Sequence, residues 1–448
     1  MHPQARRSRM KRNPLTSRVP SLALFLAILC IPAAGVADPA PPPISFRNAM
    51  ELALEHSGVM GIAAINQWRA RKAYDELHAN YIPQLTVGSG LGYSYGFPLT
   101  LEGSAPSVIN FNSLNTILNV PLRKYLKAAK IDLQATSLDV QDKRNGVILD
   151  AALTYTQLAQ LSKKIEALTE AQKAAEKAQF VSEQRLQQGV DSKLDVTRSE
   201  LVSARIRLRI AEAQGEADVL RQHLASLMGV QPDAITIDPA SVPEMPAISQ
   251  EDDLPARAVE NSLVVKQAQQ KTAAAKLRAE GERDATKFPT ADFASQYAYL
   301  ARYNNYDLYF KNYTANNLAV GLNIKFPFFN PVQNARAQEV KADALLAGKQ
   351  EELTREKVRE DALQLQRSLR QLAAARDVAK LEWEVSQGDL EVVKTRLETS
   401  QANLRDEENA QLDTDDKNAA YLDAEFELRR AELQLLRLTG ELEDWAMK

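Results

Sequence analysis

The chain has 448 residues, with 55 Lys and Arg against 58 Asp and Glu, four His and one Cys. A balance this close to neutral offers no basic surface for nucleic acid. A single cysteine excludes a disulfide framework.

The first element is a leader, residues 1–37. Arg6, Arg7, Arg9, Lys11, Arg12 and Arg18 form a basic region, residues 22–31 a short apolar core, and Gly35, Val36 and Ala37 a cleavage site before Asp38. The apolar run is too short to span a bilayer as a permanent helix, and no apolar stretch long enough to do so follows it. The pattern predicts export. Cys30 lies inside the leader, and Leu29 before it is bulkier than a lipid-attachment site accepts, so the mature chain has no thiol. Removing the leader's six basic residues leaves 49 basic and 58 acidic side chains, a net charge of −9.

A first repeat is expected over residues 38–230. Residues 46–79 read as helix with Ser45 as its cap. Residues 85–97 read as a strand, because Leu85, Val87, Leu91, Tyr93, Tyr95 and Phe97 alternate with small or polar residues. A weaker strand is expected over 110–121. No proline follows Pro121 until Pro232, which permits a long helical hairpin over 122–229. Within it Val147, Ala151, Thr154, Leu158, Leu161, Ile165 and Leu168 keep the 4-3 spacing of a coiled-coil seam. Gly189, with Asp191 and Ser192, breaks the run. Pro232, Pro239, Pro243, Pro246 and Pro255 mark a linker over 231–256.

Residues 257–448 repeat the order: helix, strands at 291–303 and 316–326, and a hairpin over 332–440. Pro83 and Pro289 are 206 residues apart, as are Pro121 and Pro327, whereas Arg185 and Arg396 are 211 apart. Five residues are therefore gained in the second half. The second seam runs through Val358, Ala362, Leu365, Leu369, Leu372, Ala375 and Ala379, and residues 399–403 make its weaker break.

Enzyme motifs fail on context. Residues 92–96 match a nucleophile elbow but continue a period-2 strand, and the one later histidine is His223. Residues 88–92 resemble a dinucleotide loop without its helix. His56, His78 and His223 lack ligand spacing. No catalytic residue, metal site or cofactor is expected. The strand alternation and the glycine-rich face of residues 86–96 suit a barrel wall, with Tyr93, Tyr95, Phe97, Tyr299 and Tyr303 as an aromatic girdle. Four strands cannot close a transmembrane barrel, so the chain must be an oligomer: eight strands from a dimer or twelve from a trimer. The four long helices per chain favour three copies, since twelve helices leave a conduit that eight barely do.

This order of features resembles the TolC-like outer-membrane efflux proteins over essentially the whole mature chain. Residues 44–49 open the first helix, Tyr81, Ile82, Pro83 and Gln84 lead into a strand, Arg185, Leu186, Gln187, Gln188 and Gly189 sit at a hairpin tip, and Leu-x-Gly recurs at Leu227 and Leu438. The resemblance implies a mainly α fold with a β-barrel part. Long helical hairpins would form a trimeric α-barrel tunnel in the periplasm below a twelve-stranded barrel in outer-membrane lipid. It also implies a passive efflux or secretion conduit opened by a periplasmic adaptor and an inner-membrane transporter. In that family two aspartates after the second tip ring the periplasmic entrance. Here Ser400 holds the tip-glycine position, Asp406 matches the first aspartate with Glu407 and Glu408 beside it, and Asn409 replaces the second. Asp406 and Glu407 are the expected gate. Arg185, Leu186, Gly189, Arg396, Leu397 and Ser400 are the expected adaptor-docking tips. The alternative reading is a periplasmic coiled-coil adaptor, which would carry one hairpin between compact β domains.

Overall fold

The computed structural model describes residues 43–89, 107–246, 253–300, 314–399, 401–402 and 404–448. The residues expected to be a single helix over 46–79 form two, α1 (Phe46–His56) and α2 (Gly58–Ala79). Ser57 is the reason: it is extended at φ −61° and ψ 126°, and its hydroxyl accepts from the N–H of Val59, restarting the helix on a new axis. The second repeat does the same. There α5 (Leu254–Asn261) and α6 (Leu263–Ala285) meet at Ser262, whose hydroxyl accepts from the N–H of Val265.

The sheet holds β1 (Gln84–Gly88), β2 (Ser107–Asn119), β3 (Thr290–Leu300) and β4 (Asn316–Lys325), antiparallel in the order β1-β2-β3-β4. Strand expectations beyond these bounds need correction or lie outside the description. Residues 90–97 and 301–303 are not among the described residues, nor are Tyr93, Tyr95, Phe97 and Tyr303. Val120 and Pro121, expected to end a strand, instead open a helix. Proline lacks an N–H and is favoured in the first helical turn, where that donor has no partner anyway.

The hairpins are α3 (Val120–Gln187) with α4 (Lys193–Met228), and α7 (Pro331–Glu398) with α8 (Leu404–Thr439). The long arms are both 68 residues and the short arms both 36, and every boundary is displaced by 211. Since β2 and β4 end 206 apart, the five extra residues are 326–330, between β4 and α7. Pro121 and Pro327 are thus not equivalent. The true counterparts are the caps Asn119 and Asn330, which accept from Leu122 N–H at 2.9 Å and Gln333 N–H at 3.0 Å. A short α9 (Leu442–Ala446) ends the chain. Among the described residues, no helix is long and apolar enough to cross a membrane.

The main core lies halfway down α3. Val147, Ile148, Ala151, Ala152, Tyr155 and Leu158 bury against Phe46 and Met50 of α1, Leu224 and Met228 of α4, and Trp445 of α9. Phe46 meets Tyr155 edge-on at 5.4 Å and Trp445 at 5.3 Å. The proline-rich segment is no free linker here. Ile44 bridges to Ile237, and the Trp445 indole donates to the Glu244 carbonyl at 3.0 Å. Leu254 and Pro255, expected in that linker, begin α5. The Tyr155 hydroxyl holds these stretches of chain together. It donates to the Ile44 carbonyl at 2.8 Å and accepts from Asp238 N–H at 3.0 Å.

The two seams differ. On α3 nearly all of the expected seam is buried, whereas on α7 Val358 and Ala362 are buried and Ala375 is exposed. Among the described residues, nothing covers the outer face of α7 around Val378, Leu381 and Val385. Tyr155→Phe removes the donor to the Ile44 carbonyl and the nearer of the two acceptors of Asp238 N–H. We expect a loss of about 1–3 kcal/mol. A lowered midpoint in denaturant unfolding of the detergent-solubilised protein would show it.

Candidate functional site

Cross-strand partners share a face of a sheet, and here the two faces differ in chemistry. One row reads Val87, Phe111, Tyr297, Leu318, and the next on the same face Leu85, Ser113, Ser295, Val320. The opposite face reads Thr86, Asn112, Gln296, Ala319, then Gln84, Leu114, Ala294, Gly321. Asp292 joins that polar face and accepts from the Thr116 hydroxyl at 3.1 Å. A hollow of about 500 Å³ opens over it. The apolar face is bare: Leu318 is 69% exposed and Leu85 66%. Tyr299 lies on this bare face. Such a sheet can hold water on one side and only an apolar medium on the other.

Where the strands turn into helices, Glu282 forms a buried polar junction. It is 6% exposed, takes a hydrogen bond from Gln333 at 2.6 Å and pairs with Arg336 at 3.3 Å. Burial, and then the hydrogen bond to Glu282, pushes the Tyr125 phenol well above its ordinary range. A Cβ on Gly281 would come within 2.7 Å of the Tyr125 ring, so only glycine lets α6 approach α3 this closely. The junction ties α3, α6 and α7 together. Sequence reasoning missed it, because one buried acid among many charged helix positions leaves no periodic trace.

At the first tip Gly189 adopts φ +76°, with Val190 N–H donating to Arg185 O at 2.8 Å and Gly189 N–H to Leu186 O at 2.9 Å. This is a Schellman turn. Arg185 is exposed and pairs with Asp191 at 3.1 Å, while Leu186 is half-buried. At the second tip Arg396 is exposed and Leu397 half-buried, and Gln401 N–H donates to Arg396 O at 2.8 Å. Ser400 lies outside the described residues.

Asp406 is exposed in the first turn of α8. Its counterpart 211 positions earlier is Asp195, which closes a capping box with Ser192. Glu407 and Glu408 turn elsewhere, into a cavity of about 360 Å³ between the hairpins. Ala171, Ala175, Val202 and Ile206 line it, with Lys177 and Lys394 at its edge. Burial, reinforced by Glu407, pushes the Glu408 carboxyl up, and burial does the same to Asp415 one heptad further on. Around them Arg209 pairs with Asp416 at 2.5 Å and Lys164 with Asp423 at 3.6 Å, joining hairpin to hairpin. These pairs are largely solvated, worth about 0–1 kcal/mol each. The structure thus separates the two expected gate residues: Asp406 faces solvent and Glu407 the seam between hairpins.

Residues 49–230 match the model of the outer membrane efflux protein family. No curated protein matches the chain by sequence. Among solved structures, the outer-membrane channel OprN is 20% identical with a TM-score of 0.72, covering 90% of each chain. VceC from Vibrio cholerae is 18% identical with a TM-score of 0.69, over 87% of this chain and 95% of that one. The open state of Neisseria gonorrhoeae MtrE is 18% identical with a TM-score of 0.70, over 90% of each. At these identities the likeness establishes the fold.

Because Glu408 and Asp415 hold their protons more tightly when the hairpins are packed, their contribution is fully present below the ordinary carboxylate range. It is lost as pH rises through the raised values. The seam should tighten on acidification, and Glu408→Gln with Asp415→Asn should remove that dependence. Hydrogen-exchange protection in residues 405–416 should then be greater at neutral pH in the double variant than in the parent, and flat with pH.

Proposed function

We propose, from the match of residues 49–230 to the outer membrane efflux protein model, that the chain is a subunit of a homotrimeric outer-membrane channel. It would be a passive conduit from periplasm to exterior, opened by a periplasmic adaptor and an inner-membrane transporter. The observation that carries this reading is a contact made once where the internal repeat calls for it twice. Helix α6 lies between two long helices: it reaches α3 through Gln267 and Asp139 at 3.0 Å, and α7 through Thr272 and the Ala347 carbonyl at 3.0 Å. Its counterpart α2 packs on α3, and its other face, with Ile62, Ile65 and Trp68, is exposed.

The missing neighbour is α7 of another copy. Ile65 stands as far before the end of α2 at Ala79 as Leu345 stands after the start of α7 at Pro331; both are exposed. Nearer the tips the outer flanks also match. Leu208 lies nearly as far into α4 from Lys193 as Val385 lies from the end of α7 at Glu398, again both exposed. The sheet supports the same closure. Pairing of β2 with β3 joins the two repeats, and β1 and β4 are left as edges. Pairing β4 with β1 of the next copy repeats that join. Three copies give twelve strands and, at the tips, twelve helices. With axes about 9–10 Å apart and helices about 10 Å thick, twelve enclose a lumen roughly 25 Å wide, against roughly 15 Å for eight.

In this assembly the apolar sheet face meets outer-membrane lipid and the polar face, with Asp292, lines water. The hairpins extend into the periplasm. Asp406 narrows the entrance and favours cations there, while Glu407, expected beside it in the gate, lies in the seam between the hairpins. Arg185, Leu186, Gly189, Arg396, Leu397 and Ser400 present the tips to the adaptor. An adaptor reading leaves the second hairpin without a role.

Purified protein in planar bilayers should give discrete conductance steps; silence at every voltage would contradict the channel. Asp406→Asn should lower the preference for cations over anions at the entrance, and an unchanged reversal potential in a salt gradient would remove Asp406 from the gate.

A further inference from the structure

The internal repeat leaves one corner of the second half open. In the first half α1 ends on His56, whose side chain lies so close to the Leu-x-Gly turn that a Cβ on Gly229 would come within 2.9 Å of it. In the second half α5 ends on Asn261, a smaller side chain, and a Cβ on Gly440 would have its nearest neighbour, from Asn261, at 3.8 Å. Beside this looser corner lies a cavity of about 800 Å³, walled by α3, α5, α6, α7 and α8 of the same chain. That size is in the range of sites that hold organic molecules.

Asn145 of α3 indicates what the cavity takes. It is 8% exposed and lines the cavity, and its Oδ1 is buried without a hydrogen-bond partner among the described residues. The neighbouring N–H groups of α3 cannot serve it, because the helical ladder uses them. A buried acceptor left unpaired weakens the fold, and a donor entering the cavity relieves that cost. The orphan atom selects N–H or O–H and rejects a carboxylate or a phosphate. The charges on the wall agree. The Arg437 guanidinium is occupied by Asp142 at 3.4 Å. Lys357 and Asp361, one turn apart on α7, line the same space and form no ion pair among the described residues. The long stem of Lys357 lets its ammonium reach solvent, whereas the short one of Asp361 keeps the carboxylate at the wall. Much of the remaining lining is apolar, with Leu149, Leu263, Val264, Val358 and Leu365. Water would satisfy Asn145 but leave these side chains wet. A molecule with an ammonium group on an apolar body suits both.

We propose that this cavity is a binding site for amphipathic primary amines, with the Asn145 carbonyl as acceptor for the ammonium and Asp361 as its counter-charge. The site is built within one chain, so it does not depend on the trimer or on the channel reading. The probe is dansylcadaverine, a primary alkylammonium carrying a dansyl group, titrated with the detergent-solubilised full chain while its fluorescence anisotropy is read. Its N-acetylated form, which lacks the charge, controls for uptake by micelles. Asn145→Leu keeps a side chain of similar size and removes the acceptor. Val264→Trp fills the mouth, where Val264 is 40% exposed. Binding to the parent should saturate at one probe per chain. The acetylated probe and Asn145→Leu should each weaken it roughly tenfold or more, and Val264→Trp should abolish it. Asn145→Leu should melt no lower than the parent, since it removes an unpaired buried group, which separates lost recognition from lost folding. Equal affinity in the parent and Asn145→Leu, with Val264→Trp alone impaired, would mean that the cavity takes apolar bodies without reading the amine, and would overturn the assignment of Asn145. No saturable binding to the parent, or binding that neither variant weakens, would leave the cavity to water and overturn the site.

Discussion

The edge of a β-sheet carries a row of amide N–H and carbonyl groups, and in hydrocarbon each unpaired one costs several kcal/mol. The sheet of this chain has two such edges, β1 and β4, and an apolar face that the described residues leave bare. Most other features follow from how those groups are satisfied. A soluble four-stranded sheet would turn its apolar face to a helix. Here the helices leave the ends of the strands instead and run away from the sheet, so the face has no helical cover. Lipid on one side and water on the other is the surrounding that matches both rows of side chains.

Duplication makes the closure possible. Equal arms of 68 and 36 residues mean that whatever surface one repeat offers, the other can receive. In the proposed assembly the join inside the chain is the template for the join between copies. The symmetry fails in two places, and both have physical content. One is the added turn at residues 326–330, where the chain leaves the sheet. The other is the middle of the helical part. There the first repeat is packed round Tyr155 and Phe46, with the proline-rich segment and Trp445 brought against them. The second repeat has the smaller cluster of Ala258, Val265, Val358 and Ala362.

Much of this was legible in the residues. Period-2 alternation located where β1, β3 and β4 begin to within one position, while the expected ends at 97 and 303 lie outside the described residues. The 4-3 spacing on α3 marked a buried seam. The same spacing on α7 marked residues that this chain covers less fully, with Leu365, Leu369, Leu372 and Ala379 half-buried and Ala375 exposed. What could not be read was local. Ser57 splits a helix by capping it, which no periodicity signals, and Val120 with Pro121 fits a strand end as well as a helix start. The start of α8, where the gate is expected, shows the same limit. Asp406, Glu407 and Glu408 are adjacent in sequence, but a helix turns by about 100° per residue. One therefore faces solvent, while the others enter the seam where Glu408 is desolvated.

The central claim is that α2 of one copy meets α7 of the next in a closed ring of three. Cys30 is the chain's one cysteine, so Cys30→Ser provides a clean background for cross-linking. Ile65→Cys and Leu345→Cys, placed together in one chain and oxidised in the membrane, should yield a ladder on denaturing gels that stops at three linked chains. Each single-cysteine variant should stay monomeric. A ladder that stops at two, or no cross-link in protein that still conducts, would contradict the account.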